Sequence, residues 1–227
     1  MKIATWNVER PIKNGRKTKD IIHLLIKLDA DILVLTETND FIYLESGYHV
    51  HHTTILHDEM YKIGERRVSI FSKYPLADKI KGFETFNKDT SICVNLKTSL
   101  GELAVYGTIL GALGNKGNQF KDDLEKQLSD FKNINGETTN FCIIGDLNIS
   151  FSDNYYFTEE GRKKLNYSFE KYQMKNYTAD LKNNIDHIIL TEKFVGKRKV
   201  VVSDWNETEN KETRLSDHKG VMIEIFE

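Results

Sequence analysis

Polar and acidic residues recur where apolar runs of this chain stop. TWNVE carries Asn7 and Glu9, ILVLTE ends in Glu37, CIIGDLN in Asp146 and Asn148, and RLSDHKG sets Asp217 and His218 just ahead of a last apolar run. A single carboxylate at such a place is ordinarily a solvated turn residue or a helix cap. Several in one chain meet the needs of a hard divalent cation. Mg²⁺ and Mn²⁺ prefer oxygen ligands, commonly one or two carboxylates, with water and substrate phosphate filling the remaining positions. Glu37 is the candidate anchor, and Asn7 and Asn148 offer neutral amide contacts that add no negative charge against an anionic substrate. An ion held this way polarises a phosphoryl oxygen, which leaves a base to activate water and a cation to stabilise the developing charge. Asp146 and His218 are the candidates for these last two roles.

Imidazole titrates near neutral pH and gains basicity beside a carboxylate. Asp217 is adjacent to His218, but neighbours on extended chain point to opposite faces. A more distant partner is expected, and Asp186, which opens the run DHIIL, is the candidate. His187 then points away from the site and reads as a structural or surface residue.

Elements that could position these residues are legible in the pattern. Nine runs have strand length and are rich in Val and Ile: KIATWNV, DILVLTE, RVSIFS, SICVNLKT, ELAVYGTIL, NFCIIGD, IDHIILT, KVVVSDW and GVMIEIF. Helical spacing appears from Thr18, with Ile21, Ile22, Leu24, Leu25 and Leu28 on one face and Thr18 or Asp20 to cap it. It recurs from Asn118 through Phe120, Leu124, Leu128 and Phe131, and a more polar helix is expected from Thr158. Strands with interspersed helices predict a layered α/β (α+β) domain.

The chain has 227 residues, 39 % of them hydrophobic, which predicts one domain over residues 1–227. A net charge of -2 provides no global field for nucleic acid, so an anionic partner must be held by local charge. Arg10, Lys13, Arg16, Lys17 and Lys19 cluster after the first polar end, either as a phosphate-contacting track or as a solvated loop. His49, His51, His52 and His57 read as a surface segment, and Arg162, Lys163 and Lys164 as an exposed helix face. Cys93 and Cys142 lie in apolar runs and read as inert core thiols. The start MKIATWNV has no secretory pattern, and no apolar run reaches the roughly 18 residues of a membrane span. The default expectation is a cytoplasmic monomer.

ATWNVER, DILVLTET, VSIFSKYPL, AVYGTIL, IIGDLN, IDHIIL and LSDHKGV, in this order, resemble the endonuclease/exonuclease/phosphatase superfamily over nearly the whole chain. The resemblance implies a four-layer sandwich, two mixed β-sheets face to face with helices outside, and metal-dependent hydrolysis of a phosphate ester. It implies Mg²⁺ or Mn²⁺ on Asn7 and Glu37, with Glu9 near a metal and Asp217 as a possible second ligand. Asp146 then aligns or deprotonates the water, Asn148 contacts phosphate, His218 stabilises the phosphate and Asp186 orients it. Tyr106 matches the family's phosphate-contacting tyrosine; an offset of three would place Ile109 there instead. No Pro-Asn follows Tyr106, and the stretch from Asn148 to Asp186 is short for an abasic-site endonuclease. A phosphodiesterase, most readily a nuclease acting on nucleic acid, is therefore expected. The alternatives are a phosphatase for a small or lipid-derived ester and a catalytically silent metal- or nucleic-acid-binding module.

Overall fold

A computed structural model describes residues 1–44, 47–56, 61–77, 84–112, 114, 116–206, 212 and 214–226. The first half of the chain forms β1 (Lys2–Asn7), α1 (Arg16–Leu28), β2 (Ile32–Asn39), β3 (His49–His52), β4 (Glu65–Ser72), β5 (Ser91–Thr98) and β6 (Gly101–Ile109). The second half adds α2 (Gly117–Glu137), β7 (Phe141–Asp146), α3 (Glu159–Lys171), β8 (Met174–Asn176), β9 (Asp186–Thr191), α4 (Glu192–Val195), β10 (Lys199–Trp205) and β11 (Gly220–Phe226). A six-stranded sheet runs β10-β11-β1-β2-β4-β3, and a five-stranded sheet runs β5-β6-β7-β9-β8. Each is mixed, with one parallel pair: β1 with β2, and β6 with β7. In both cases a helix, α1 or α2, makes the crossover that parallel strands require.

The two sheets share one core. Ile3, Val34, Val68 and Ile223 of the first meet Val105, Ile144 and Ile188 of the second, all fully buried. Alternate residues face outward, where Ala4, Trp6, Leu33 and Leu35 pack beneath Ile21 and Leu25 of α1. On the other outer face, Tyr106, Phe141 and Ile143 pack beneath Phe120, Leu124 and Phe131 of α2 and Leu165 of α3. The period-two pattern of strands and the one-sided pattern of helices thus give the four layers. At about 25 cal/mol per Å² of apolar surface, each Val, Leu or Ile taken fully into these layers contributes roughly 1.5–3 kcal/mol.

All nine anticipated strands are present, and two further ones join them. β3 is an edge strand on β4, where His51 and His52 are half-buried and His52 Nδ1 lies 2.7 Å from Ser69 Oγ. Its side chains carry no apolar alternation, so pairing in space, not pattern, made it a strand. His57 lies outside the described residues. The short β8 likewise depends on its neighbour β9. Neither Thr18 nor Asp20 caps α1: the helix begins at Arg16 behind Gly15, and the Thr18 hydroxyl donates back to the Ile12 carbonyl at 2.8 Å. Thr158 does cap α3, accepting from the Gly161 N–H at 3.0 Å. Cys93 and Cys142 are free thiols whose ionisation burial opposes. No helix among the described residues is long and apolar enough to cross a membrane.

Gly145 fixes the end of β7. Its φ is 135°, and a methyl group there would collide with the Thr108 carbonyl oxygen on β6. Close approach of two paired strands, combined with a backbone angle that L side chains rarely adopt, requires glycine. Gly145→Ala should destabilise the protein by at least ~2 kcal/mol in a denaturant titration; a shift below ~0.5 kcal/mol would show that the strand end has slack.

Candidate active site

The sheets bring residues of four strands to one edge: Asn7, Asp146 and Asp186 at strand ends, and Glu37 two residues before β2 stops. Asn7 is the last residue of β1 and pairs in register with Thr36, one residue before Glu37 on β2. Asp146 is the last residue of β7 and pairs with Asp186, the first of β9. Across the gap between the sheets, the buried Asn7 carboxamide donates to Glu37 Oε1 and to Asp146 Oδ2, both at 3.2 Å. A single side chain therefore connects the carboxylates of opposite sheets.

Backbone geometry aims these groups. Glu37 is at φ 46° and Asn148 at φ 51°, left-handed values uncommon for residues other than glycine. The chain does not stay extended after Asp146. It turns back, so that the Asn148 N–H donates to Asp146 Oδ1 at 2.8 Å and its side-chain amide donates to the Leu110 carbonyl at 2.8 Å. Burial, with the nearby charges of Asp186 and Glu37, raises the affinity of the Asp146 carboxyl for a proton; His218 and the Asn148 N–H pull the other way. A buried carboxylate so poised can accept a proton from water near neutral pH.

His218 Nδ1–H donates to Asp186 Oδ2 at 2.6 Å, which leaves Nε2 to face outward. Burial alone would favour neutral imidazole, but the carboxylates of Asp186 and Asp146 outweigh it and hold the ring protonated. Asp217 is half-exposed and its Oδ1 lies 3.9 Å from Nε2, so the distant carboxylate, not the adjacent one, is the orienting partner. Three residues outside the sequence-based set hold this loop. Ser216 donates to the Asn7 carbonyl at 2.7 Å and accepts from the His218 N–H at 3.1 Å, while Trp6 Nε1–H (3.1 Å) and the Asn206 amide (2.5 Å) both donate to the His218 carbonyl. The SDH spacing contained Ser216, but its partner in β1 is 209 positions away in sequence.

Asp146, Asp186 and His218 have ligand atoms within 4.8 Å of one another, an acidic cluster that could hold a metal ion. Asp186 Oδ1 is buried with no hydrogen-bond partner among the described residues. Two buried carboxylates and the half-buried Glu37 crowd this edge, while the neighbouring cation Arg10 is engaged by Glu65 at 2.6 Å and 3.1 Å. Such a surplus of hard oxygen donors suits a divalent cation. Glu9 is exposed on the following turn and donates its N–H to Asn7 Oδ1 at 3.0 Å. Lys13, Arg16, Lys17 and Lys19 are exposed around the start of α1.

Tyr106 is not part of this edge. It points to the outer face of its sheet, fully buried, with its hydroxyl donating to Asp130 Oδ2 at 2.8 Å and its ring against Phe131 and Phe141. A phenol suits phosphate chemically, but residue 106 occupies the outer face of the sheet and residue 109 the inner one. Ile109 is in register with Asp146 and lies on the inter-sheet side, so the position beside the acidic cluster is apolar. His187, as anticipated, is structural: it is buried, donates Nε2–H to the Ile149 carbonyl at 2.9 Å, and is held down to about 4 by burial.

A model of the Endonuclease/Exonuclease/phosphatase family matches residues 4–218. The chain belongs to that family. Solved structures share its fold at low identity. A 3′ phosphatase, NExo, from Neisseria bound to product DNA hairpin is 16 % identical with a TM-score of 0.71, covering 100 % of both chains. An AP endonuclease from Archaeoglobus fulgidus is 17 % identical, with a TM-score of 0.61 and 99 % of each chain covered. Truncated TDP2 from Caenorhabditis elegans is 12 % identical with a TM-score of 0.62, over 100 % of this chain and 98 % of that one. A search of curated proteins finds no match. Members of the endonuclease/exonuclease/phosphatase family are hydrolytic enzymes, and the acidic cluster of this member is a possible metal site.

Because Tyr106 serves Asp130, Tyr106→Phe should lower stability by about 1–2 kcal/mol, the cost of removing one donor from a buried carboxylate. Turnover of a phosphate ester should change less than ~2-fold, since removing an acid/base group costs roughly 100-fold. A ~100-fold loss of turnover at preserved stability would return Tyr106 to the site.

Proposed function

We propose that this protein is a divalent-metal-dependent phosphoesterase that cleaves phosphodiesters in nucleic acid by attack of water on phosphorus. The observation that carries this reading is the linked set at one edge of the two sheets: Asn7 joins Glu37 to Asp146, and Asp146 stands beside the Asp186–His218 pair. A base, a held imidazolium and a group of oxygen donors are the parts that phosphoryl transfer to water needs. Among relatives of the same fold, one is described as a 3′ phosphatase bound to product DNA and another as an AP endonuclease, which favours nucleic acid over inositol or lipid esters. The 3′ phosphatase also favours a second reading, removal of a terminal phosphate monoester by the same residues.

Glu37 and Asn7 would hold Mg²⁺ or Mn²⁺, with Asp217 and Glu9 as further oxygen donors at the rim. When bound, the ion supplies positive charge to polarise a phosphoryl oxygen and to neutralise the charge that develops on it. Asp146 takes the proton of the attacking water; its burial and its acidic neighbours make it basic enough to do so. The Asn148 N–H fixes the carboxylate that accepts this proton, while its side-chain amide, on the Leu110 carbonyl, anchors the turn at the rim of the cleft. Asp186 keeps His218 protonated and directs Nε2–H toward a phosphate oxygen, where it stabilises the growing negative charge. Water adds to phosphorus as the ester oxygen leaves; that oxygen takes a proton from solvent and Asp146 returns its own, giving an alcohol and a phosphate.

Asp146→Asn and His218→Ala should each reduce hydrolysis of an oligonucleotide by ~100-fold or more while the protein still folds. Chelation with EDTA should abolish activity, and added Mg²⁺ or Mn²⁺ should restore it. Full activity in either purified variant, or in the presence of chelator, sinks the assignment. Release of inorganic phosphate from a 3′-phosphorylated strand without internal cleavage selects the monoesterase reading.

A further inference from the structure

Beyond His218 the acidic edge opens into a cleft of about 320 Å³, walled by Tyr155 and Tyr156 from the segment after β7 and by Arg214 and Lys219 on either side of the Asp217–His218 turn. Asn148 and Asp186 also line it, so the cleft is continuous with the reacting groups. Hydrolysis as derived above makes no use of the two tyrosines.

Tyr155 is 51 % exposed, yet the backbone that carries it is tied down. Asp153 accepts the Tyr155 N–H at 3.0 Å, the Asn183 N–H at 2.9 Å and the Ser150 hydroxyl. The Arg162 guanidinium donates to the carbonyls of Ser150 and Asp153, and the Ser152 hydroxyl donates to the Leu181 carbonyl at 2.7 Å. This loop and the 181–183 segment opposite are therefore one rigid unit. An exposed aromatic side chain carried by a fixed backbone is available to stack on something that enters the cleft. The opposite flank of the site is different, because Tyr61 there already carries the guanidinium groups of Arg10 and Arg67 at 5.5 Å and 5.3 Å from its ring centroid.

We propose that the Tyr155–Tyr156 cleft is a nucleobase-stacking subsite for the nucleoside joined to the reacting phosphate; Lys219 at its rim is engaged by Asp204 at 3.3 Å, so the aromatic faces make the contact. The proposal rests on the phosphoesterase reading and adds to it how substrate is chosen. Small-molecule pockets span about 300–1,000 Å³, and a cleft of about 320 Å³ has room for one nucleotide-sized group. Recognition by stacking tolerates all four bases, since each has a π-face; it rejects a bare sugar phosphate.

The test compares thymidine 5′-(p-nitrophenyl phosphate) with methyl p-nitrophenyl phosphate in the presence of Mg²⁺, two esters with the same leaving group. Calorimetry alongside compares thymidine 5′-monophosphate with 2-deoxyribose 5-phosphate. The wild-type protein should favour the thymidine ester by roughly 10-fold in kcat/KM, and bind the nucleotide tighter by a similar factor, as expected for stacking of one base. Tyr155→Ala should bring both ratios close to one through a raised KM, and Tyr155→Phe should keep them. Because the Tyr155 side chain is half-exposed and its fold contact is made by the backbone, the variant should melt with the parent. Equal treatment of the two esters by an active wild-type enzyme, or a preference that survives Tyr155→Ala, overturns the subsite and leaves the hydrolytic reading standing. Absence of hydrolysis together with Tyr155-dependent preference for the nucleotide overturns the hydrolytic reading and keeps the subsite.

Discussion

One carboxamide sets the terms for the site. Asn7 reaches from the end of β1 to Glu37 on its own sheet and to Asp146 on the other, at 3.2 Å each. Carboxylates brought this close out of water repel one another and lose hydration, and burial costs several kcal/mol per uncompensated ion. A neutral donor between them lowers that cost without neutralising the charge that a metal ion and a reaction would need. The same residue accepts Ser216 on its carbonyl, so the loop bearing His218 is positioned from β1 as well. Both halves of the chemistry thus refer to one point in the backbone.

The sandwich explains why such a point exists. Strands from two sheets end at one edge because the sheets pack face to face, and each parallel pair is closed by a helix on its outer side. The apolar layer between them, with Val34, Val105, Ile144 and Ile188 fully buried, has little freedom to shear. Side chains at its rim inherit that rigidity. Unusual backbone angles at Glu37, Gly145 and Asn148 lie at this rim, where surrounding pairing can hold them.

Charge is divided between the two sides of Asp146. On one side Glu37 and Asn7 present oxygen and amide groups; on the other, Asp186 fixes an imidazolium by a 2.6 Å hydrogen bond. Asp146, between them, is the buried carboxylate whose proton affinity rises. That separation puts three acidic residues and a histidine in different electrostatic surroundings. The surface beyond His218 is of another kind, with exposed aromatic area on a hydrogen-bonded loop.

The sequence by itself determined the strand and helix periods, the order of the motifs and most of the polar residues at strand ends. Short-range pattern encodes these, so nine strands, the three longer helices and the polar residues Asn7, Glu37, Asp146, Asn148, Asp186 and His218 that meet at one edge are legible in it. It also separated Asp217 from the role of histidine partner, because adjacent side chains diverge on extended chain. Tertiary structure decided what depends on long-range register and on which face a strand turns inward. Tyr106 faces α2 and serves Asp130, whereas Ile109 shares the face of Asp146. Ser216, Trp6 and Asn206 act through partners distant in sequence or through backbone atoms that no residue pattern reveals. Chain turning after β7, forced by close approach at Gly145 and the left-handed Asn148, folded Asn148 back over Asp146 instead of leaving it extended. Local chemistry names the groups a site contains, while packing of distant segments fixes which of them meet.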